Sequence, residues 1–102
     1  MILRRWRGAV RANDAESYLA HQDETGIADY RSTPGNRGVL VLRRQRGELV
    51  EITTVSFWDS MDAVRAFAGD EPERAKFYPG DDDLLAEKDG HADHWTVHSS
   101  DF

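Results

Sequence analysis

Two neighbouring segments of this chain are apolar on both sides at once. Residues 38–44 read Gly-Val-Leu-Val-Leu-Arg-Arg, and after Arg46-Gly47 a second run, Glu48 to Trp58, returns. Successive side chains of a strand point to opposite faces. Val39 and Val41 therefore share one face, and Leu40 and Leu42 the other. In the returning run Val50 and Ile52 oppose Val55 and Phe57. A sheet with one wet face alternates apolar and polar residues; these strands do not. Helices from a short chain cover one side only. At roughly 25 cal/mol per Å², leaving four or five large side chains in water forfeits several kcal/mol. The simplest cover for the second face is the same face of another copy, which gives a two-fold homodimer. The other cover is the chain's own loop from Gly26 to Arg37 together with Tyr78 to Gly90.

The remaining elements follow from periodicity and punctuation. Ile2 to Val10 reads as a strand with Ile2, Trp6 and Val10 as its hydrophobic set. Asn13 is a helix cap with Glu16 three residues on. The helix behind it carries Ala15, Tyr18, Leu19 and Gln22 on one side and ends at Gly26. Ser32 to Asn36 is a loop. The Arg46-Gly47 turn makes a hairpin of the two apolar runs. Ser60 caps a second helix bearing Ala63, Val64, Phe67 and Ala68, which Gly69 stops. Asp70 to Phe77 starts a short helical piece, Asp81 to Lys88 a third helix, and His94 to Ser99 a last strand. The order β-α-β-β-α-β predicts an α+β domain spanning 1–102. It is a ferredoxin-like split βαβ unit with a four-stranded antiparallel sheet and helices on one face.

Composition narrows the function classes. There is no cysteine, so disulfides, thiolate metal sites and a Cys nucleophile are excluded. No apolar run reaches the ~18 residues of a membrane span, and no leader is visible, so a cytoplasmic protein with no membrane partner is expected. Charge is uneven: residues 1–50 carry nine Arg and six acids, and residues 51–102 carry four Lys or Arg and thirteen acids. An overall charge of −6 repels phosphate backbones, and no nucleic-acid motif is present. No phosphate-binding Gly loop or GxSxG occurs. His91 and Asp93 share one strand face and His94 and His98 the other, so one strand cannot offer all four to a metal; no metal site is expected.

Phe57-Trp58-Asp59-Ser60-Met61-Asp62-Ala63, then Phe67-Ala68-Gly69-Asp70, Ala75 and Phe77-Tyr78-Pro79, resemble the signature of antibiotic biosynthesis monooxygenase domains. Trp6-Arg7-Gly8 and Tyr30-Arg31…Pro34-Gly35-Asn36-Arg37-Gly38 resemble an uncharacterised branch of that superfamily. The resemblance implies a ferredoxin-like protomer whose sheet pairs with its mate in a dimeric α+β barrel. It also implies one of two chemistries. Some members oxidise aromatic compounds with O₂ and no cofactor. Others bind and degrade haem with an Asn on the first strand, a Trp before the second helix and a His after it. Here Trp58 matches that Trp, but Trp6 stands near the Asn position and Tyr78 follows the helix. The expectation is therefore a cofactor-independent monooxygenase-like protein for a small phenol or anthrone, with no cofactor. The alternatives are a non-catalytic binder of a small apolar ligand and a haem protein.

A cofactor-free oxygenase needs a dry aromatic slot, a proton acceptor and donors for the substrate anion. Trp58 and Trp6 are candidates for the slot, though a Trp at a strand end also fills a sheet–helix corner. His94 is the candidate base, placed facing the cavity with Trp95 and Val97 packed on the helices. Tyr78 is a candidate donor to a substrate oxygen. Arg43 and Arg44 lie on opposite strand faces, so one can point inward and bind an anion; a solvated or dimer-pairing charge is the other reading.

Overall fold

The computed structural model describes residues 1–102. Five antiparallel strands form one sheet: β1 (Ile2–Arg11), β2 (Asn36–Arg46), β3 (Leu49–Trp58), β4 (Leu85–Lys88) and β5 (Asp93–Thr96). The order is β2-β3-β1-β4, with β5 also on β1. This is the expected ferredoxin-like α+β arrangement, with one correction. The fourth strand is split, because β4 pairs with Gly8–Val10 and β5 with Ile2–Arg5 of the same strand. Asp89 N–H still donates to the Arg7 carbonyl of β1, and the residues after it bond the strap 69–80 instead: Ala75 N–H donates to the Gly90 carbonyl, and Ala92 N–H to that of Glu73.

That strap is irregular, so the short helix expected over Asp70 to Phe77 does not form. The expected helix from Asp81 to Lys88 is also shorter: α4 covers Asp81–Leu84, and β4 takes over at Leu85 because Leu85 and Glu87 pair with β1. The hairpin β2–β3, the Ser60 cap of α3 (Met61–Ala68) and the stop at Gly69 are as read from sequence. Ala63 N–H donates to Ser60 Oγ over 3.2 Å.

The first helical region departs most. A 3-10 turn, Ala12–Asp14, leads into α1 (Ala15–Gln22) without a side-chain cap from Asn13 or Asp14. Gly26 does not end the helix. It lies in a π-turn, Asp23–Ile27, that runs on into α2 (Ala28–Ser32). Gly26 faces Tyr78 there, at a distance where a Cβ would make an ordinary contact of 3.6 Å with the ring. Residues 26–32, part of the alternative cover for the second sheet face, thus lie on the first.

Register fixes the two faces. On the helix side the rungs are Ile2–Trp58, Arg4–Ser56, Trp6–Thr54, Gly8–Ile52 and Val10–Val50. The apolar ends of this ladder belong to two separate buried clusters. One holds Val10, Ala15, Tyr18, Val50 and Ile52. The other holds Ile27, Tyr30, Trp58, Val64 and Phe67. The middle rungs, Arg4–Ser56 and Trp6–Thr54, form a largely polar belt between them. On the open side Leu3, Leu40, Leu42, Val55, Phe57 and Trp95 share a face that no helix of the chain covers. A cleft of about 910 Å³ lies over it, lined by Leu3, Leu40, Phe57 and Val97 among others. No helix is long and apolar enough to cross a membrane.

Two sequence motifs have packing reasons. Gly8 leaves room for the Trp6 indole, since a Cβ there would lie 2.7 Å from Trp6 Cη2. The indole then donates from Nε1 to the Asp89 carbonyl over 2.8 Å. Gly35 adopts φ +91°, and a Cβ would lie 2.6 Å from that of Ala63, so only glycine fits the loop entering β2.

Candidate functional site

The polar belt opens into a sheltered cavity between sheet and helices. Its walls include Arg4, Trp6, Tyr18, Tyr30, Phe67 and Tyr78, and its volume is about 40 Å³. That is room for about three water-sized atoms. The π-turn contributes Thr25 and Gly26 to the wall, in keeping with the frequency of such turns at functional sites. As it stands the cavity holds no larger guest.

Arg4 dominates the electrostatics. It comes from β1 with the parity of Ile2 and Trp6 and is 2% exposed. Its Nη1 donates to the Pro72 carbonyl and lies 3.0 Å from His94 Nε2; its Nη2 donates to the Arg74 carbonyl over 3.3 Å. The guanidinium sits 5.7 Å from the centre of the Phe67 ring. No carboxylate pairs with it. Burial lowers its pKa, opposed by Tyr30, Tyr78 and Glu73, yet a guanidinium stays protonated at any physiological pH.

Across the cavity Tyr78 donates from its hydroxyl to Asp29 Oδ2 over 2.6 Å, and Lys76 Nζ reaches the same oxygen at 2.7 Å. Burial, then the hydrogen bond to Asp29 and its charge, push the Tyr78 phenol far above its ordinary value, so it remains a donor. Burial raises the Asp29 pKa, but the bonds from Lys76 and Tyr78 outweigh it and hold the carboxylate below its ordinary range. Asp81 lines the cavity with both oxygens engaged: Oδ1 lies 2.7 Å from His21 Nε2, and Oδ2 accepts from Tyr78 N–H over 2.8 Å.

No family model matches the chain, and no curated protein matches its sequence. Solved structures do match its shape over nearly full length. A Bacillus cereus protein described as a candidate antibiotic biosynthesis monooxygenase superposes with TM-score 0.69 at 18% identity, over 99% of this chain and 96% of that one. The chain has the antibiotic biosynthesis monooxygenase fold. The haem-degrader MhuD of Mycobacterium tuberculosis, with two haems bound in its active site, superposes at TM-score 0.62 and 15% identity over 100% of both chains. SnoaB, a cofactor-independent oxygenase from Streptomyces nogalater, does so at 0.55 and 16% over 97% and 95%.

Within this monooxygenase fold, Trp6 and Tyr78 are the residues singled out from sequence that reach the cavity. Trp58 is fully buried behind it, donating from Nε1 to Ser56 Oγ over 2.9 Å. It backs two cavity rings, Tyr30 at 5.9 Å and Phe67 at 5.4 Å. Arg43 does face the helix side but pairs there with Glu16 of α1 at 2.8 Å. Arg44 is on the open face, 2.9 Å from Glu51. His94 does not line the cavity; it stands one contact behind it, on Arg4. The expectation that Trp95 packs on the helices is corrected. Opposite Leu3, it lies on the open face and is 58% exposed.

Arg4 itself was missed from sequence. Its signal was parity: a strand whose inward set is Ile2, Trp6 and Val10 also turns residue 4 inward. Asp29, Lys76 and Asp81 left no such trace, because the strap and the π-turn that bring them together have no periodicity.

Burial, then the charge of Arg4, lower the His94 pKa below its ordinary 6.5. Between the two values the unfolded chain holds the proton and the native one does not. Stability therefore falls as pH drops from 6.5 toward the lower native pKa, and this contribution is constant below it. Urea midpoints compared at pH 8 and pH 5 should fall further for the wild type than for His94→Gln. Parallel losses would refute the linkage.

Proposed function

We propose that this chain works as a homodimer and is a cofactor-independent oxygenase for a small phenol- or anthrone-type compound bound in the sheet–helix cavity. The observation that carries the reading is one cavity that joins aromatic walls, a protonated phenol donor and a buried cation, in a fold shared with a named cofactor-independent oxygenase. A packed core needs none of the polar members.

In such a reaction the substrate supplies the electrons. An activated CH₂ beside the aromatic ring loses its two hydrogens and becomes C=O; one atom of O₂ enters the product, and the other leaves as water. Trp6, Phe67 and Phe77 hold the flat ring. The Tyr78 hydroxyl gives up its bond to Asp29 and donates instead to the substrate oxygen as charge builds there. His94 is the proton acceptor. Arg4 occupies its Nε2 in the closed state, and that lone pair becomes free when Arg4 turns to the substrate anion. Trp58 keeps Tyr30 and Phe67 in place. The strap must lift for entry, since about 40 Å³ does not admit a fused-ring compound. The uncovered apolar sheet face supports the dimer.

Oxygen uptake with a panel of anthrones and quinols tests the reading. Uptake by the wild type should fall about 10²-fold in Tyr78→Phe and in His94→Ala. Folded wild-type protein that consumes no oxygen with any member would refute it. The second reading, a binder without turnover, is favoured by the small cavity and by the engaged His94 nitrogen. Mass spectrometry of co-purified ligand, recovered unchanged, would support it. Haem fits these residues poorly, because no histidine lines the cavity.

A further inference from the structure

We infer that Arg4 makes the sheet–helix cavity a binding site for the carboxylate head of a small organic acid. The inference shares the cavity with the proposed function and needs none of its oxygen chemistry.

Three observations carry it. Arg4 is almost wholly buried and has no carboxylate partner, although most arginines of the chain that face an acid are paired with it; Arg5, Arg37, Arg43, Arg44 and Arg46 all are. Its two terminal nitrogens are engaged by the strap carbonyls of Pro72 and Arg74 and by His94, while its Nε–H has no hydrogen-bond partner and is shut off from any water-sized atom, so a ligand oxygen reaches it when the guanidinium turns toward the cavity. The residue lines a cavity of about 40 Å³, room for the three atoms of a carboxylate.

A buried charge without a counter-ion is costly, and so is a buried donor without an acceptor. A single carboxylate answers both, since guanidinium and carboxylate are matched in shape as well as charge. The neighbouring groups permit it. Asp81 is the acid on the cavity wall, and its oxygens are already taken by His21 and by Tyr78 N–H. Asp29 is neutralised by Lys76 and bonded by Tyr78. The closed cavity takes the carboxylate head alone, as in formate; the body of a larger acid such as benzoate meets Trp6, Phe67 and Phe77 only as the strap shifts to make room.

The Nε–Hε groups of arginine give their own proton–nitrogen NMR signals, so the proposed donor can be watched directly. In labelled wild-type protein one such signal exchanges slowly with solvent because its proton is buried, and it disappears in Arg4→Lys. Titration with sodium formate and with sodium benzoate, at ionic strength held constant with chloride, should shift that signal along a saturable curve. The signals of the exposed arginines should show only small, non-saturating changes. Benzyl alcohol, a neutral compound of benzoate's size, should leave it in place. If Arg4→Lys does not fold, slow exchange in the wild type still identifies the signal. No shift with either anion would overturn the inference. So would an equal shift with benzyl alcohol, which would assign the cavity to the aryl ring. Oxygen uptake plays no part in this experiment, so loss of the oxygenase reading and loss of the anion site are separately visible.

Discussion

Trp58→Ala lowers the stability of the chain by about 3–5 kcal/mol, the range for emptying a large aromatic site. For a domain of this size that is a fall of roughly 15–30 °C in Tm. Three losses combine. The indole is fully buried, so its whole contact surface is removed. The stacked rings of Tyr30 and Phe67 lose the partner behind them. Ser56 Oγ, also fully buried, loses the Nε1 donor. Trp58→Phe separates the terms, because it keeps most of the packing and drops only the donor; its fall should be less than half as large. Thermal unfolding followed by circular dichroism, at one protein concentration for all variants, decides the matter. A fall below about 5 °C for Trp58→Ala would mean that the cluster collapses into the space and that Trp58 does not hold the cavity wall.

The second large effect concerns the open sheet face. Leu40, Leu42 and Trp95 are 52%, 49% and 58% exposed there, more than a lone chain gains by leaving in water. In sedimentation equilibrium the wild type should run at twice its 11.6 kDa chain mass. The double variant Leu40→Glu, Leu42→Glu should run at the chain mass, because it puts carboxylates of both copies on the apolar face that the proposed homodimer would bury. Both side chains point away from the helices, so the far-UV spectrum should be unchanged. A wild type sedimenting at 11.6 kDa would remove the homodimer.

The strands were legible in the sequence because their information is local. The alternation of Val39, Leu40, Val41 and Leu42, and of Val50 through Phe57, assigned each side chain to a face, and the register agrees residue by residue. Ser60 and Gly69 marked α3 by caps that need only neighbours. Illegible parts depend on distant partners. Gly26 reads as a helix end, yet the helical run carries on through it to Ser32, with Gly26 buried and facing Tyr78 of the strap. Leu85 to Lys88 reads as helix, yet the free edge of β1 captures it as strand. Of the site, Trp6 and Tyr78 stood out as aromatics. Arg4 was hidden because a charged residue on an amphipathic strand is ordinarily counted as outward. His94 was chosen for its chemistry, and its contact with Arg4 could not be read from spacing across 90 residues.

The wide turn at Asp23–Ile27 has one more effect. Each residue of an ordinary α-helix advances the side chains by about 100°. An uninterrupted α-helix from Ala15 would therefore bring Tyr30 to a different azimuth from the one it holds against Trp58. The slack of a single loosened coil resets that phase. One run of chain then serves Tyr18 in one buried cluster and Tyr30 in the other, and the loosened coil itself lends Thr25 and Gly26 to the hollow between them.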